Sequence, residues 1–466
     1  MYSSENKIDA WISDHKEEIV VHIKQLIHLQ SISTPCTFQE YPFGSGCASA
    51  LDYMLQLAGD LGLATRNYDY YCGSAVLQGR TDRTIGIFVH LDTTPVSDMW
   101  LQDPFEAVER NGYIIGIGSE DNKGAAVSML YLLRCLKDLE ITLDHTILVV
   151  FGCGKKAKME DMDHFLRHEK APDLSLVADA SFPVCIGEKG SANFELTCPI
   201  HDEHLVDFRS GLAANMIPGC AFALLKDFTF EEVMERLDQD TRCVVIPVDS
   251  YVKIDIGGLG GHAAFPEGSR SPIPLLADIL LSHQLVGTSA PYIRFLRDTY
   301  QTYDGVPFGL NERDETFGYT THICGTIGIQ HGSMRQVINV RYISQLTGAE
   351  VSRRVQETAG RAGISCRLLS DTPPHTPEPC LKPLTPVLTS IVNHVLGTSL
   401  HEYTMGGVTY AQKLPNAISF GPNRDDLPTP LGWGRGHMAN EAVRIQDLLN
   451  ALKIYALSLH RIDPMF

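Results

Sequence analysis

The chain has 466 residues, 44% of them apolar and 20% charged, the balance of a folded globular protein too long for one ordinary core. Its formal charge is −18, from 38 basic and 56 acidic residues. With no Lys and Arg cluster interleaved with aromatics, that charge opposes binding to a phosphate backbone and argues against nucleic acid as a partner. The opening Met1-Tyr2-Ser3-Ser4-Glu5-Asn6-Lys7 lacks the basic and apolar regions of a signal peptide, and no apolar run approaches the ~20 residues that span a bilayer, so a cytoplasmic protein without a membrane partner is expected.

Apolar residues recur at helical spacing from Asp9 to Gln30 and again from Cys47 to Leu61, so the chain should begin with helices. The run Thr84 to Val89 reads as a strand ending at His90. A helix from Lys123 to Leu136 follows, then strands at Thr146 to Phe151 and Leu174 to Ala178. This alternation predicts an α/β domain with a mostly parallel sheet flanked by helices. Beyond about Gly190, strands at Tyr251 to Ile256, Thr321 to Ile327 and Gln336 to Tyr342 alternate with helices at Leu275 to Gln284 and Ala349 to Ala362, which suggests an inserted α+β domain. The proline-rich stretch Asp371 to Pro379 reads as the return linker. A strand at Ala417 to Phe420 and a helix from about Asn440 to Leu459 should rejoin the first sheet. The expected division is residues 1–190 and 381–466 for the first domain and 191–380 for the insertion.

Twelve cysteines are scattered singly from Cys36 to Cys380 without a Cys-x-x-Cys pair, so reduced and mostly buried thiols are expected rather than disulfides or a zinc ribbon.

Five residues sit where chemistry collects. His90 and Asp92 stand at the end of a predicted strand, where open α/β sheets gather ligands, and their spacing suits an imidazole whose second nitrogen a carboxylate holds. Asp121 follows the glycine-rich Gly116-Ile117-Gly118 and opens a helix, Asp179 ends a strand, and His437 precedes a helix. Taken singly, each has a plainer reading as a cap, a turn or a surface residue. Together His90, Asp121, Asp179 and His437 are two imidazoles and two carboxylates, a donor set that borderline divalent metals accept.

The strings Val89-His90-Leu91-Asp92-Thr93-Thr94-Pro95 and Gly116 through Asp121-Asn122-Lys123-Gly124 resemble the signature blocks of the acetylornithine deacetylase, aminoacylase and carnosinase family, and Asp179 through Lys189 to Gly190 resembles its third block. The likeness extends to Pro42-Phe43-Gly44, to the enlarged insertion and to Gly407-Val408-Thr409-Tyr410-Ala411, features of the bacterial dipeptidase V type. The resemblance implies a zinc-peptidase-like fold with a lid domain, acting on dipeptide-like or N-acyl amino acid substrates that carry a free carboxylate. It implies metal ligation by His90, Asp121, Asp179 and His437, with Asp92 orienting His90. Asn215 and His262 would polarise the substrate carbonyl, and Arg341 and Gly407 would bind substrate, Arg341 clamping its carboxylate. The enlarged type further implies a single-chain protein, hence a monomer.

One departure stands out. Where the family carries two adjacent glutamates, general base and metal ligand, this chain has Lys155 and Lys156 within Gly152-Cys153-Gly154-Lys155-Lys156-Ala157-Lys158-Met159-Glu160-Asp161. An ammonium cannot accept a proton and repels a neighbouring dication. Glu120 and Glu160 are nearby, but neither occupies the matching position. Lys156 could fill the second metal position and leave one ion at His90, Asp121 and Asp179. Alternatively, Lys155 could be driven neutral and act as base or nucleophile. Zinc is the expected cofactor, one ion before two, with manganese or cobalt as alternatives. Two functions remain open: an amide hydrolase of impaired or altered competence, and a non-catalytic protein that binds peptides or amino acids.

Overall fold

The computed structural model describes residues 2–34, 40–96, 99–238, 240–264 and 266–465. The chain forms two compact units, the first from residues 1–186, 376–403 and 409–466 and the second from 187–375 and 404–408.

The first unit opens with helix α1 (Tyr2–His28), whose buried residues Ile8, Trp11, Ile12, Ile19, Ile23, Leu26 and Ile27 recur three and four apart and form one apolar stripe. Helix α2 (Ser45–Asp60) leads to a hairpin of β1 (Ala64–Tyr68) and β2 (Cys72–Leu77). Strand β3 (Thr84–His90) is buried along nearly its whole length, as a strand covered on both faces must be. The short strands β4 (Val108–Arg110) and β5 (Tyr113–Ile115) precede helix α3 (Gly124–Asp138). Twelve of the fifteen residues of α3 are buried, so it is a core helix rather than a surface one. Strand β6 (Thr146–Gly152), helix α4 (Glu160–His168) and strand β7 (Leu174–Val177) follow.

The strand order is β1–β2–β6–β3–β7, followed by Ala417–Ser419. The pairs β6–β3, β3–β7 and β7 with Ala417–Ser419 are parallel, whereas β1–β2 and β2–β6 are antiparallel. The fold class is therefore mixed α/β, with its parallel part confined to the strands whose ends carry the candidate site.

The second unit is an antiparallel sheet. Its order runs Val244–Val248, Tyr251–Gly257, Cys220–Leu225, Leu205–Ser210, Thr321–Gln330, Ser333–Tyr342, Gly190–Pro199 and Ser365–Thr372. Burial alternates along Tyr251–Gly257 and Cys220–Leu225, the period-two pattern of a sheet with one covered face. Helices Pro272–Ser282, Ala290–Thr299 and Gly348–Arg361 contribute buried side chains to the same core.

Three expectations about elements need correction. The last helix starts at Ile445, not near Asn440. Asn440 has φ +58°, and Ala442–Arg444 pairs with β5 as a strand, so backbone pairing overrides the helical pattern there. Asp371 and Thr372 belong to the strand Ser365–Thr372 rather than to a linker, and the Asp371 carboxylate accepts a hydrogen bond from Tyr342 at 2.6 Å. Helix α4 was not expected, because its polar sequence shows little beyond Met162 and Phe165 to mark a buried face. The described cysteines are free thiols; Cys36 lies outside the described residues. No described helix is long and apolar enough to cross a membrane.

Candidate metal centre

Strands β3 and β7 end side by side, the first delivering His90 as its last residue and the second leading into Asp179. His90 is fully buried at the end of β3. Its Nδ1 lies 2.9 Å from the Asp92 backbone carbonyl and 3.3 Å from Asp92 Oδ1. That contact fixes one nitrogen and aims Nε2 at Asp121 Oδ1, 2.8 Å away, and at Asp179 Oδ1, 3.6 Å away. Candidate ligand atoms of His90, Asp121 and Asp179 lie within 4.8 Å of one another. A ring nitrogen held from behind and two carboxylates at this spacing fit one borderline divalent cation.

Asp121 is set by its turn. Gly118 takes φ +79° and the chain passes through Asp121 at φ −127°, ψ 81°, with a cis peptide to Asn122. The Glu441 carboxylate accepts the backbone N–H groups of Gly118 at 3.0 Å and of Glu120 and Asp121 at 2.9 Å each. Asn122 receives the His90 N–H at 3.2 Å and donates to the Ala178 carbonyl at 2.8 Å, tying together the ends of β3 and β7. Glu120 accepts from Gly436 N–H at 2.6 Å and Arg435 at 3.0 Å, which holds the loop that carries His437. At Gly436 a Cβ would come within 2.8 Å of the Asp121 Cβ, so only glycine lets the two loops approach this closely.

The second cation position does not fit a metal. His437 Nε2 is 2.5 Å from Asp121 Oδ2, but Lys156 Nζ stands at the same place, 2.6 Å from Asp121 Oδ2 and 2.8 Å from His437 Nε2. The Lys156 ammonium, with burial, holds His437 below the usual imidazole value. Lys155 Nζ pairs with Asp179 Oδ2 at 2.9 Å. Burial works against the Lys155 charge, but Asp179 and Asp121 outweigh it and raise its pKa. The expectation that Lys155 could be driven neutral and serve as base or nucleophile is therefore corrected, because its carboxylate neighbours hold the proton on. Burial likewise opposes ionisation of Asp121, yet Lys156, His437, Lys155 and His90 keep it well below the ordinary carboxylate range. Asp179 is lowered to about 2, chiefly by Lys155 and His90 working against burial.

The Asp92 carboxylate also accepts the backbone N–H groups of Lys156 at 2.7 Å and Lys155 at 3.3 Å, so the residue expected to orient His90 anchors the lysine loop as well. Asp161 pins the other end of that loop through Gly154 N–H at 2.8 Å, and the Tyr410 hydroxyl donates to the same carboxylate. Neither Glu120, already engaged, nor the exposed Glu160 supplies the missing base.

The remaining expected residues lie in the second unit. Asn215 and His262 meet across the short ladder Met216–Ile217 with Gly261–His262, the amide 3.1 Å from His262 Nε2. The Ala264 N–H donates to His262 Nδ1 at 3.2 Å, and the Asn215 Nδ2 amide faces His262 Nε2. Arg341 is 6% exposed. Its Nε donates to Asn339 Oδ1 at 2.7 Å and one Nη to the Gly406 carbonyl at 2.8 Å, beside Gly407. Burial lowers its pKa to about 10, with Glu188 working the other way.

Sequence reasoning gave no role to Asn122, Asp161 and Tyr410, which it met only as members of motif strings, and none to Glu441, whose signal was only a polar side chain at the start of a predicted helix.

A mixed α/β unit with His90 and Asp179 at the ends of parallel strands and Asp121 on the turn before α3, interrupted in sequence by an antiparallel insertion, matches the design of a metallopeptidase. The chain belongs to peptidase family M20/M25/M40, whose model matches residues 86–461. It is 26% identical over 463 residues to "Putative dipeptidase YtjP" of Bacillus subtilis, covering 96% of this chain and 97% of that one. It is 25% identical over 474 residues to the Beta-Ala-Xaa dipeptidase of Lactobacillus delbrueckii subsp. lactis, covering 98% and 97%. Human carnosine dipeptidase 1 shares the fold, with a TM-score of 0.62 at 16% identity over 99% of each chain.

Proposed function

We propose that this chain acts on dipeptide-like or N-acyl amino acid substrates with a single cation, zinc or a metal of similar preference, held by His90, Asp121 and Asp179. The observation that carries the reading is the Lys156 ammonium placed between Asp121 and His437. It supplies one positive charge where relatives of the family type place a glutamate-held ion. A cation at the remaining position would supply Lewis-acid polarisation of an amide carbonyl. Asp92 holds the His90 ring and the lysine loop in register. Asn215 and His262 would stabilise negative charge on the substrate carbonyl oxygen, and Arg341 would take the substrate carboxylate, a task that its buried, charged and planar guanidinium suits.

Lys155 keeps its proton beside Asp179 and Asp121, and Lys156, although burial lowers its pKa, is engaged with Asp121 and His437, so neither stands in for a carboxylate base, whose assistance is worth ~100- to 10,000-fold. Ordinary peptide hydrolysis should therefore be slow, and the reaction this site favours is one that needs carbonyl polarisation more than water activation.

The test is the zinc content of chelator-stripped, reloaded protein compared with His90→Ala, run beside a dipeptide and N-acyl amino acid turnover screen. A difference of one ion, with slow turnover lost in the variant, is expected. A difference of two ions would overturn the single-cation reading. No difference would remove the metal from this site, and dipeptide binding without turnover would replace the enzyme reading with a binding protein.

A further inference from the structure

On the far side of α4 from the lysine loop in sequence, a separate trio of ligand-type side chains converges: Asp69, His164 and His168. Asp69 sits at the tip of the β1–β2 hairpin. Asp69 and Tyr70 take φ +50° and +58°, and Tyr71 N–H closes the turn on the Tyr68 carbonyl at 3.0 Å, the tight turn whose twist matches the flanking strands. His164 and His168 are one helical turn apart on α4 and so share a face. Their rings stack with centroids 4.2 Å apart, and His164 stacks on Tyr71 at 4.0 Å.

We propose that Asp69, His164 and His168 form a metal site for one borderline divalent cation such as zinc, independent of the site at His90. Three observations converge. His164 Nε2 and Asp69 Oδ2 are 3.1 Å apart, close to the edge of about 3.3 Å that two ligands make around a tetrahedral zinc with bonds of about 2.0–2.1 Å. His168 Nδ1 lies 2.9 Å from the His164 backbone carbonyl. A carbonyl only accepts, so Nδ1 carries the proton and the Nε2 lone pair is left for a metal, the arrangement that metal-binding histidines use. His168 is also the last residue of α4, where the negative end of the helix dipole favours a cation. Burial and the neighbouring His168 further hold His164 towards the neutral form that ligation requires.

The competing contact is Arg167, whose Nη2 lies 3.5 Å from His164 Nδ1. At the long limit of a hydrogen bond, on the ring nitrogen facing away from Asp69, it is the weakest contact of the group. A cation held here would staple the hairpin tip to the helix that begins immediately after the loop of Lys155 and Lys156. Water would complete its coordination, since Asp69 and His168 are exposed.

The experiment titrates zinc alone into full-length, chelator-stripped His90→Ala protein, which separates this site from the other, and repeats the titration with His168→Ala or Asp69→Asn added. Both added changes are at exposed positions and leave His164 stacked on Tyr71, and Asp69→Asn also keeps the His168 ring against it. One ion per chain is expected in His90→Ala, with affinity reduced about 100-fold by either added change. Cobalt in place of zinc should give visible absorption that disappears with the same variants. Unchanged zinc affinity in both added variants, or no zinc bound by His90→Ala, would overturn the proposal and reduce the trio to an ion pair beside a stacked ring.

Discussion

His90 and His322 are both completely buried imidazoles, one in each unit, and their neighbours shift them in opposite directions. His90 is desolvated and faces Lys156, both of which disfavour its charge, yet Asp121 and Asp179 raise it to about 10. Burial lowers His322 to about 4. Its Nδ1 accepts from Gly305 N–H at 3.1 Å and its Nε2 donates to the Thr299 carbonyl at 2.7 Å, a pair of bonds that only the neutral ring can make. Burial alone therefore does not decide the state of a histidine here. The partners do, and around His90 they are the alternating charges of a site in which lysines stand among carboxylates.

The strongest way to break this comparison is to remove a carboxylate. Asp121→Asn would leave Lys156 in a buried place without its counter-charge, and breaking such a pair costs about 3–5 kcal/mol. Denaturant unfolding should show a loss in this range, whereas an unchanged midpoint would mean that the lysines turn to solvent.

The next largest effect concerns the neutral imidazole. A histidine whose folded pKa lies below its unfolded value stabilises the protein above about pH 6.5, and that stability is lost as the pH falls towards 4, because the unfolded chain takes up the proton first. The shift from 6.5 to about 4 corresponds to about 3 kcal/mol. His322→Asn should lower stability at pH 7.5 while flattening its decline between pH 6.5 and 4, read as thermal midpoints across that window. An equally steep decline in the variant would assign the acid sensitivity elsewhere.

Lys155→Glu/Lys156→Glu sharpens the comparison from the other side, since it replaces the interleaved cations with the acids that the sequence resemblance leads one to expect there. Dipeptide turnover should rise at least about 100-fold, with one more zinc ion per chain by elemental analysis. A rise in zinc without turnover would show that the rest of the site has also moved away from hydrolysis. The smallest effect expected is at Arg341. Arg341→Ala should weaken dipeptide binding about tenfold, in line with the loss of a hydrogen-bonded charge worth about 1.5–3 kcal/mol. A substrate analogue lacking the carboxylate should bind both forms equally.

The residues that touch the candidate centre were readable from the chain because they are chemically distinctive and sit at strand ends or on glycine-flanked turns. His90, Asp121, Asp179 and His437 converge although 347 positions separate the first from the last, His90 to His437. What holds them in place was not readable. Glu441 lies in a stretch that reads as the start of a helix, and only the three N–H groups it gathers from the Asp121 turn show its task. Asp161 and Tyr410 meet across 249 positions, a pairing that no local pattern encodes. Strand β1, Ala64-Thr65-Arg66-Asn67-Tyr68, is exposed over four of its five residues, so it lacks the apolar signature that marked β3. The trio on α4 did leave a trace, two histidines four apart in His164-Phe165-Leu166-Arg167-His168, but the third member arrives from a hairpin that the pattern did not show.

The first unit is written in three separate stretches of chain, and this affects how it is made. Strand Ala417–Ser419 lies in parallel register beside β7, and the Ser175 hydroxyl reaches a carbonyl 240 residues further on. During synthesis at about 5–20 residues per second, β7 therefore waits at least about ten seconds for its neighbour. In that interval its backbone donors and acceptors on that side lack their final partners, while the second unit, nearly all of it contiguous, can finish first. Residues 187–375 of the second unit are thus synthesised while the sheet is still open at β7, before the strand Ala417–Ser419 that completes that edge.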